Sequence, residues 1–250
     1  MTSEKLGPRV LARLGALARL ATQPAIAKVV ARGGDVRMYL ALRQAWLCRM
    51  GIGTVVDIGA NIGQFAETAR LAFPEASLHC FEPLPACFAK LSRRLAGTPG
   101  VFLHNMALAD RSGMSAMTQN PFSPSSSLRE MNATHVREFP WTAGGKQLSV
   151  PVSTLDGALA DVQLAAPLLV KIDVQGTEDL VITGGRGTLG QAMVVIVETS
   201  FESLYKGQPL FDDIYHLMCN DDFVYRGSLG QLTSPRDGRV LQADSLFVRC

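Results

Sequence analysis

The sequence predicts an α/β fold: a doubly wound, mostly parallel sheet that ends in an antiparallel strand, preceded by an N-terminal helical extension. Three observations predict it. From residue 51 onward, short β-branched apolar runs alternate with amphipathic stretches of helical period. A glycine-rich turn follows the first of those runs directly. The last two apolar runs, 223–225 and 245–248, are joined by a turn-rich stretch holding Gly227, Gly230, Asp237 and Gly238 instead of a helix. Alternation of the first kind produces parallel strands covered by helices on both faces, and two strands joined through turns read as an antiparallel hairpin. With 250 residues, 47% of them hydrophobic and 18% charged, the chain can bury a sizeable core as one enlarged domain.

The elements follow in order. Residues 1–50, the extension, carry nine Lys/Arg against two Asp/Glu, whereas 51–250 carry fifteen against twenty. Arg9, Arg13, Arg19, Lys28, Arg32, Arg37, Arg43 and Arg49 are interspersed with Val10, Leu14, Leu17 and Ala21 at helical spacing, which predicts amphipathic helices. A solvated helical cap is the expectation for this part; contact with an anionic substrate or membrane surface, and a cleaved targeting segment, are the alternatives. A first strand over 54–58 leads into Gly59–Gly63, after which Ile62, Phe65, Ala66, Ala69 and Phe73 mark one helix face. A second strand over 77–81 ends at Glu82–Pro83, and Leu84, Cys87, Phe88, Leu91 and Leu95 repeat the helical pattern up to Gly97, which can terminate it. A third strand is expected over 101–108. Residues 111–153 break the alternation with Gly, Ser, Pro and Asn, and read as an insertion of loops and a hairpin with a returning strand at 147–152. Insertions of such length in a compact domain tend to be functional, so a substrate lid is expected here. Strand 168–173, helix 178–189, strand 193–198 and helix 210–219 complete the pattern before the terminal hairpin.

Composition narrows the function classes. No apolar run approaches the roughly 20 residues that span a bilayer, and a cytoplasmic chain is expected. Five cysteines without a CxxC pair suggest neither a disulfide framework nor a zinc cluster. No compact ligand motif such as HExxH occurs, so no metal site is assigned. An acidic main part without an Asn-Pro-Pro-Tyr type motif leaves nucleic acid an unexpected partner.

The strongest local signal is Val55-Val56-Asp57-Ile58-Gly59-Ala60-Asn61-Ile62-Gly63 at a strand-to-helix turn, with Glu82 at the tip of the next strand. Glycines let the backbone approach a ligand closely, and an acid at that second tip can accept both ribose hydroxyls of a nucleoside. A tight turn and close helix packing are the plainer reasons for Gly59 and Gly63. A nicotinamide fold places G-x-G-x-x-G here; this turn differs, and an acid, Asp57, precedes it inside the strand. An acid suits a ligand carrying an ammonium and a sulfonium better than one carrying a pyrophosphate. Hydrogen bonding to the amides of the turn is a second role for the same carboxylate.

Together with Phe81-Glu82-Pro83, Lys171-Ile172-Asp173-Val174-Gln175-Gly176-Thr177-Glu178, Thr154-Leu155-Asp156, Val197-Glu198-Thr199-Ser200-Phe201 and the stretches 204–210 and 242–249, this turn resembles the FkbM family of methyltransferases over roughly residues 52–250. Gln175 departs from the usual family pattern, in which Glu is commoner. The resemblance implies a class I methyltransferase, Rossmann-like fold in residues 51–250, S-adenosylmethionine as cofactor, and a hydroxyl of a sugar, glycan or small secondary metabolite as acceptor. Carried over by position, Asp57, Gly59, Ala60, Asn61, Gly63, Phe81, Glu82, Asn105, Ala107 and Asp173 would surround the cofactor, with Asn105 equally suited to capping a strand end.

Methyl transfer to oxygen needs an aligned acceptor and a route for its proton. Asp173, Glu178 and Glu198 form the expected catalytic cluster, with a first-turn helix acid as the second reading of Glu178. His135 in the insertion is a candidate base or an exposed loop residue, and Ser125, Ser126 and Ser127 could contact the acceptor or belong to the loop. Two rival functions are a nicotinamide oxidoreductase, disfavoured by the glycine spacing, and a nucleoside-binding module without catalysis, against which Asp173 and Glu178 speak. The oligomeric state is left open.

Overall fold

The computed structural model describes residues 24–120 and 122–250. The helices expected around Arg9, Arg13 and Arg19 lie outside the described residues. Within the extension, α1 (Pro24–Ala31), α2 (Val36–Leu42) and α3 (Ala45–Arg49) are helical. Asp35 starts α2, its carboxylate accepting from the amides of Arg37 and Met38 at 2.7 and 3.1 Å. The apolar faces of these helices turn onto the main core. Val29, Met38, Tyr39, Leu42 and Leu47 belong to one buried cluster with Val55, Phe65, Ala66 and Ala69, while Lys28, Arg32, Arg37, Arg43 and Arg49 stay exposed.

The main sheet has seven strands in the order β3-β2-β1-β7-β8-β10-β9. β1 (Thr54–Ile58), β2 (Ser77–Phe81), β3 (Val101–His104), β7 (Leu168–Ile172) and β8 (Ala192–Ser200) pair in parallel, and β10 (Val240–Arg249) runs antiparallel to both β8 and β9 (Phe223–Thr233). β1 and β7 are buried at every residue, which is why they read as unbroken apolar runs instead of alternating ones. On one face lie α1 to α3 and α4 (Gln64–Ala72); on the other, α8 (Glu178–Gly184) and α10 (Phe211–Asn220) bury Val181, Ile182, Ile214 and Met218 against Val56, Ile58, Val170 and Val195. α5 (Pro85–Leu95) follows β2, and α7 (Leu155–Ala158) and α9 (Arg186–Leu189) are short. Strand order reverses between β1 and β7, and an open sheet offers its ligand crevice outside the carboxyl ends of the strands at such a switch point.

Three elements differ from the sequence reading. The single strand expected at 101–108 is two. β3 stops at His104 because its partner β2 ends at Phe81, and β4 (Ala107–Leu108) crosses to a second, three-stranded sheet ordered β4-β6-β5. The helix expected at 178–189 breaks at Gly184–Gly185, where α8 presses so closely on the chain after β4 that a Cβ on Gly184 would stand 2.1 Å from the Ala109 carbonyl oxygen. The terminal hairpin is longer than its apolar ends suggested, with bulges absorbing the glycine-rich stretch of β9. The insertion forms the expected hairpin, β5 (Gly113–Gln119) with β6 (Lys146–Ser153), and adds α6 (Ala133–Glu138) between them. No described helix is long and apolar enough to cross a membrane.

Candidate active site

β1 delivers the chain into a turn with positive φ at Gly59 (86°), Asn61 (48°) and Gly63 (90°). The amides of Gly59 and Ala60 both donate to the Phe81 carbonyl, at 3.0 and 2.9 Å, tying the turn to the end of β2. Gly59 is required by close approach: a Cβ there would lie 1.9 Å from the Asp173 carbonyl oxygen. Gly63 serves packing instead, since it caps α4 and a Cβ would meet Leu91 of α5 at 2.9 Å. Glu82 is fixed by the turn it faces. Its Oε2 accepts from the Asn61 amide and its Oε1 from the Leu84 amide, each at 2.8 Å. Burial outweighs these bonds and pushes its carboxyl up to about 7.

A cavity of about 440 Å³ opens over the carboxyl ends of β1, β2, β7 and β8. Of the residues expected around a cofactor, Gly59, Asn61, Phe81, Glu82, Ala107 and Asp173 line it, and Asp57, Ala60, Gly63 and Asn105 do not. Asn105 is turned away because its side-chain amide donates to the carbonyls of Glu82 and Pro83, bracing the end of β2, and Met106 takes the wall position. Asp57 is fully buried behind the turn, and neither of its oxygens has a partner among the described residues. Its carboxyl is pushed up to about 6 by burial, with the nearby Lys171 opposing. An orphaned acid beneath a bare backbone turn, with a second acid held at the neighbouring strand tip, fits a nucleoside ligand that also carries a cationic end.

At the other end of the cavity Asp173 and Glu198 come together, as expected, and Glu178 does not. Asp173 Oδ2 accepts from Lys171 Nζ at 2.7 Å and Oδ1 from Gln175 Nε2 at 2.8 Å. The same Gln175 amide donates to Glu198 Oε2 at 2.7 Å, which also accepts from Gln242 at 2.9 Å. Gln175 thus links the two acids without adding a third charge, and it does so from a left-handed backbone, φ 60°. Burial first, and then the charges of Asp173, Glu178 and Asp244, hold Glu198 well above the usual carboxylate range. Glu178 is buried outside the cavity. Its carboxylate accepts from the amides of Val174 at 3.2 Å and Gly176 at 3.0 Å, so it closes the loop that carries Gln175. Glu178 is also the first residue of α8, the first-turn helix acid that was the second reading from sequence, and it is buried there away from the cavity.

The insertion supplies the outer wall with Phe122, Phe139 and Trp141, and with His135. His135 is only 3% exposed, not an exposed loop residue; its ring meets Tyr205 and Phe139 edge-on at 5.0 and 5.5 Å between centroids. Burial alone pulls the imidazole down to about 4, and Nδ1 has no partner among the described residues. Tyr205, which the sequence did not single out as a site residue, donates to Gln175 Oε1 and to the Ser125 carbonyl, both at 3.0 Å. The serine run is a strap: Ser127 Oγ donates to the Gln175 carbonyl at 2.6 Å, and Ser126 Oγ accepts from the Asn120 amide at 3.0 Å. Among the described residues no group of three or more His, Cys, Asp or Glu is placed to hold a metal ion.

Six strands running one way, one reversed strand inserted next to the edge, a glycine turn at the switch point and an acid at the adjacent tip define a class I methyltransferase fold. The chain belongs to the FkbM methyltransferase family: residues 57–225 match the Methyltransferase FkbM domain. Over 162 residues it is 30% identical to the 2-O-methyltransferase NoeI of Sinorhizobium fredii, covering 62% of this chain and 66% of that one, just under two thirds of the relative's length. It is 28% identical over 202 residues to the 31-O-demethyl-FK506 methyltransferase FkbM of Streptomyces tacrolimicus, covering 63% and 75%. A solved methyltransferase FkbM from Methylobacillus flagellatus KT aligns over 94% of this chain and 60% of its own, at 14% identity and a TM-score of 0.49.

Proposed function

We propose that the chain uses S-adenosylmethionine to methylate a hydroxyl oxygen of a sugar, a glycan or a small secondary metabolite. The observation that carries this reading is one cavity with a nucleoside-type acid, Glu82, at one end and a bridged pair of acids, Asp173 and Glu198, at the other. The relatives named as a 2-O-methyltransferase and a 31-O-demethyl-FK506 methyltransferase support oxygen as the accepting atom. A cavity of this size with an aromatic rim suits a small hydroxylated acceptor better than a duplex nucleic acid, which needs a basic groove.

When bound, the cofactor supplies a methyl group made electrophilic by its sulfonium. The chain's own residues do the rest. Glu82, already oriented by two backbone amides, keeps lone pairs for a pair of ribose hydroxyls, and the bare backbone at Gly59 lets the ligand lie against the turn. Asp57 favours a positive charge near that turn. Asp173, paired with Lys171 and aimed by Gln175, accepts a hydrogen bond from the acceptor and orients its oxygen, while Glu198, bridged to it by the same Gln175 amide, lines the space beside it. Phe122, Phe139 and Trp141 give the acceptor an apolar rim to lie against. Calorimetry with S-adenosylhomocysteine, followed by transfer of labelled methyl to a panel of methyl glycosides and hydroxylated macrolides, tests the proposal. Binding plus transfer to at least one member is the expected result; no binding of the homocysteine nucleoside would overturn it.

A further inference from the structure

Resting on that reading, we infer that the acceptor is a glycan of at least two sugar units, whose second ring is held in a polar annex to the cavity that the N-terminal extension helps to line. The annex, of about 220 Å³, lies between α2 and the β9–β10 hairpin. Glu198, Gln242 and Leu232 line both spaces, so they form one wall with the acid end of the site on one side and the annex on the other. A whole ligand pocket usually measures about 300–1,000 Å³. The annex is smaller, of a size for a single ring.

The sheet explains why this space is polar. On the face of β8 and β10 that packs on the extension, Val194, Ile196 and Leu246 are buried with Leu42 and Leu47. Toward the carboxyl end of β8 the same face becomes Glu198 and Ser200, paired in register with Asp244 and Gln242. Two acids opposed on adjacent strands destabilise a sheet by themselves, and Lys171 offsets only part of their charge. α2 begins over this stretch and brings Asp35 and Arg37 to the annex.

The groups left unspent there are acceptors. Glu198 uses Oε2 for the amides of Gln175 and Gln242, and its Oε1 takes no hydrogen bond among the described residues. Gln242, only 3% exposed, spends its side-chain nitrogen on Glu198 and Ser200 while its Oε1 likewise accepts nothing among the described residues. Neither oxygen belongs to the atoms sealed from solvent, and both residues line the two cavities. Asp244 feels burial and the charges of Lys171, Asp173, Asp35 and Arg37, and no hydrogen bond reaches it among the described residues. Its Oδ2 borders the annex so closely that a Cβ on Gly230 would stand 2.9 Å away. Arg37 is the only cation among the described residues that line this space.

A site rich in free acceptors selects a ligand rich in donors. Sugar hydroxyls donate, whereas the ester, ether and ketone oxygens of a macrolide only accept, and a phosphate or carboxylate would meet three acids. Leu232, 42% exposed in the shared wall, gives the glycosidic link an apolar saddle to cross.

Matched pairs of methyl hexopyranosides and the methyl glycosides of the corresponding disaccharides, titrated into the full chain with S-adenosylhomocysteine present, test this. At least one disaccharide should bind about 10–100-fold tighter than its monosaccharide, the worth of one added hydrogen bond to a charged group. Gly230→Leu, which drives a side chain toward Asp244 and fills the annex, should erase that difference. Arg37→Ala, at an exposed position, should cut it at least about threefold, and it decides the matter if Gly230→Leu does not fold. In methyl transfer the same variants should raise KM for the disaccharide with little change in kcat, because the annex holds a ring that does not react. A purely structural defect would instead weaken both members of a pair equally, and that outcome counts against the annex. No pair with a disaccharide advantage, a panel to which no sugar binds included, overturns the inference, as does an advantage that survives both substitutions. Calorimetry with S-adenosylhomocysteine alone on the same preparation judges the methyltransferase reading, so the two failures stay distinct.

Discussion

Replacing Asp173 by Asn removes one charge from the centre of the cavity and almost no volume. Its consequences separate by ligand. The Gln175 amide can still donate to the remaining Oδ1, but Lys171, with a side chain only 8% exposed, loses the carboxylate 2.7 Å from its ammonium. Losing a hydrogen bond between charged groups costs about 1.5–3 kcal/mol. Lys171 keeps Asp57 and Asp244 nearby, and Asp173 is itself partly exposed, so the lower half of that range is expected for stability. The effect on rate is larger, because the acceptor loses the group that orients its hydroxyl. A loss of about 10²–10⁴ in methyl transfer, or roughly 2.7–5.5 kcal/mol of transition-state stabilisation, is expected with cofactor affinity largely kept. Single-turnover transfer of labelled methyl, S-adenosylhomocysteine titration and a melting curve on the same preparation measure the three quantities. Turnover near wild type would refute the role, and a rate loss matched by an equal loss of cofactor affinity would move Asp173 from the acceptor to the cofactor.

Glu82→Ala should weaken S-adenosylhomocysteine binding by about 1.5–3 kcal/mol by calorimetry, and unchanged affinity would remove the ribose assignment. Gly59→Ala should cost at least about 1–3 kcal/mol from its left-handed φ alone, and the clash with the Asp173 carbonyl should abolish nucleoside binding; a variant that melts and binds like wild type would disprove the crossing of β1 and β7 turns. Burial raises Glu178 from 4.5 to about 7, so the unfolded chain gives up this proton before the folded one does. Stability from this group is therefore present below about pH 4.5 and lost as pH rises toward 7. Melting curves of Glu178→Gln at pH 5 and 7.5 should show a smaller decline than wild type, and an identical decline would contradict the raised value. Leu42→Ala, which empties a fully buried position in α2, should cost about 2–5 kcal/mol with cofactor affinity retained; a cost near zero would show that the extension is not part of the core.

The sheet and the glycine-turn end of the site were legible because their signals are local. A strand, a bare turn and an acid at the next tip are set by spacing within about thirty residues, and β1 and Glu82 stand where the motif puts them. Asp173 and Glu198 were legible for the same reason, each ending a parallel strand. What sequence could not convey was convergence. Gln175, Tyr205 and His135 come from three separate segments, and nothing in the periodicity around Tyr205 announces that its hydroxyl will reach Gln175. Glu178 had two readings, an acceptor-site acid and a first-turn helix acid; it stands in the first turn of α8, with its carboxylate bonded to the amides of the adjacent loop, which spacing alone could not decide. The departure at Gln175 was visible as a lost charge, and only the geometry gave that loss a use as a bridge.

The second sheet has a small apolar cluster of its own, in which Met117, Val150 and Val152 are joined by Leu84, which precedes α5, and by Cys87 within it, apart from the two clusters that pack the main sheet. The insertion is tied to the acid end by polar bonds, among them Ser127 to Gln175, Ser125 to Tyr205 and Arg129 to Asp179, and by the His135 ring against Tyr205. Such a wall can diverge without the catalytic sheet unravelling, since substitutions in it draw on a separate reservoir of stability. The glycine turn has no such latitude, because a single methyl group added at Gly59 would stand 1.9 Å from the Asp173 carbonyl oxygen, at the crossing of the two central strands.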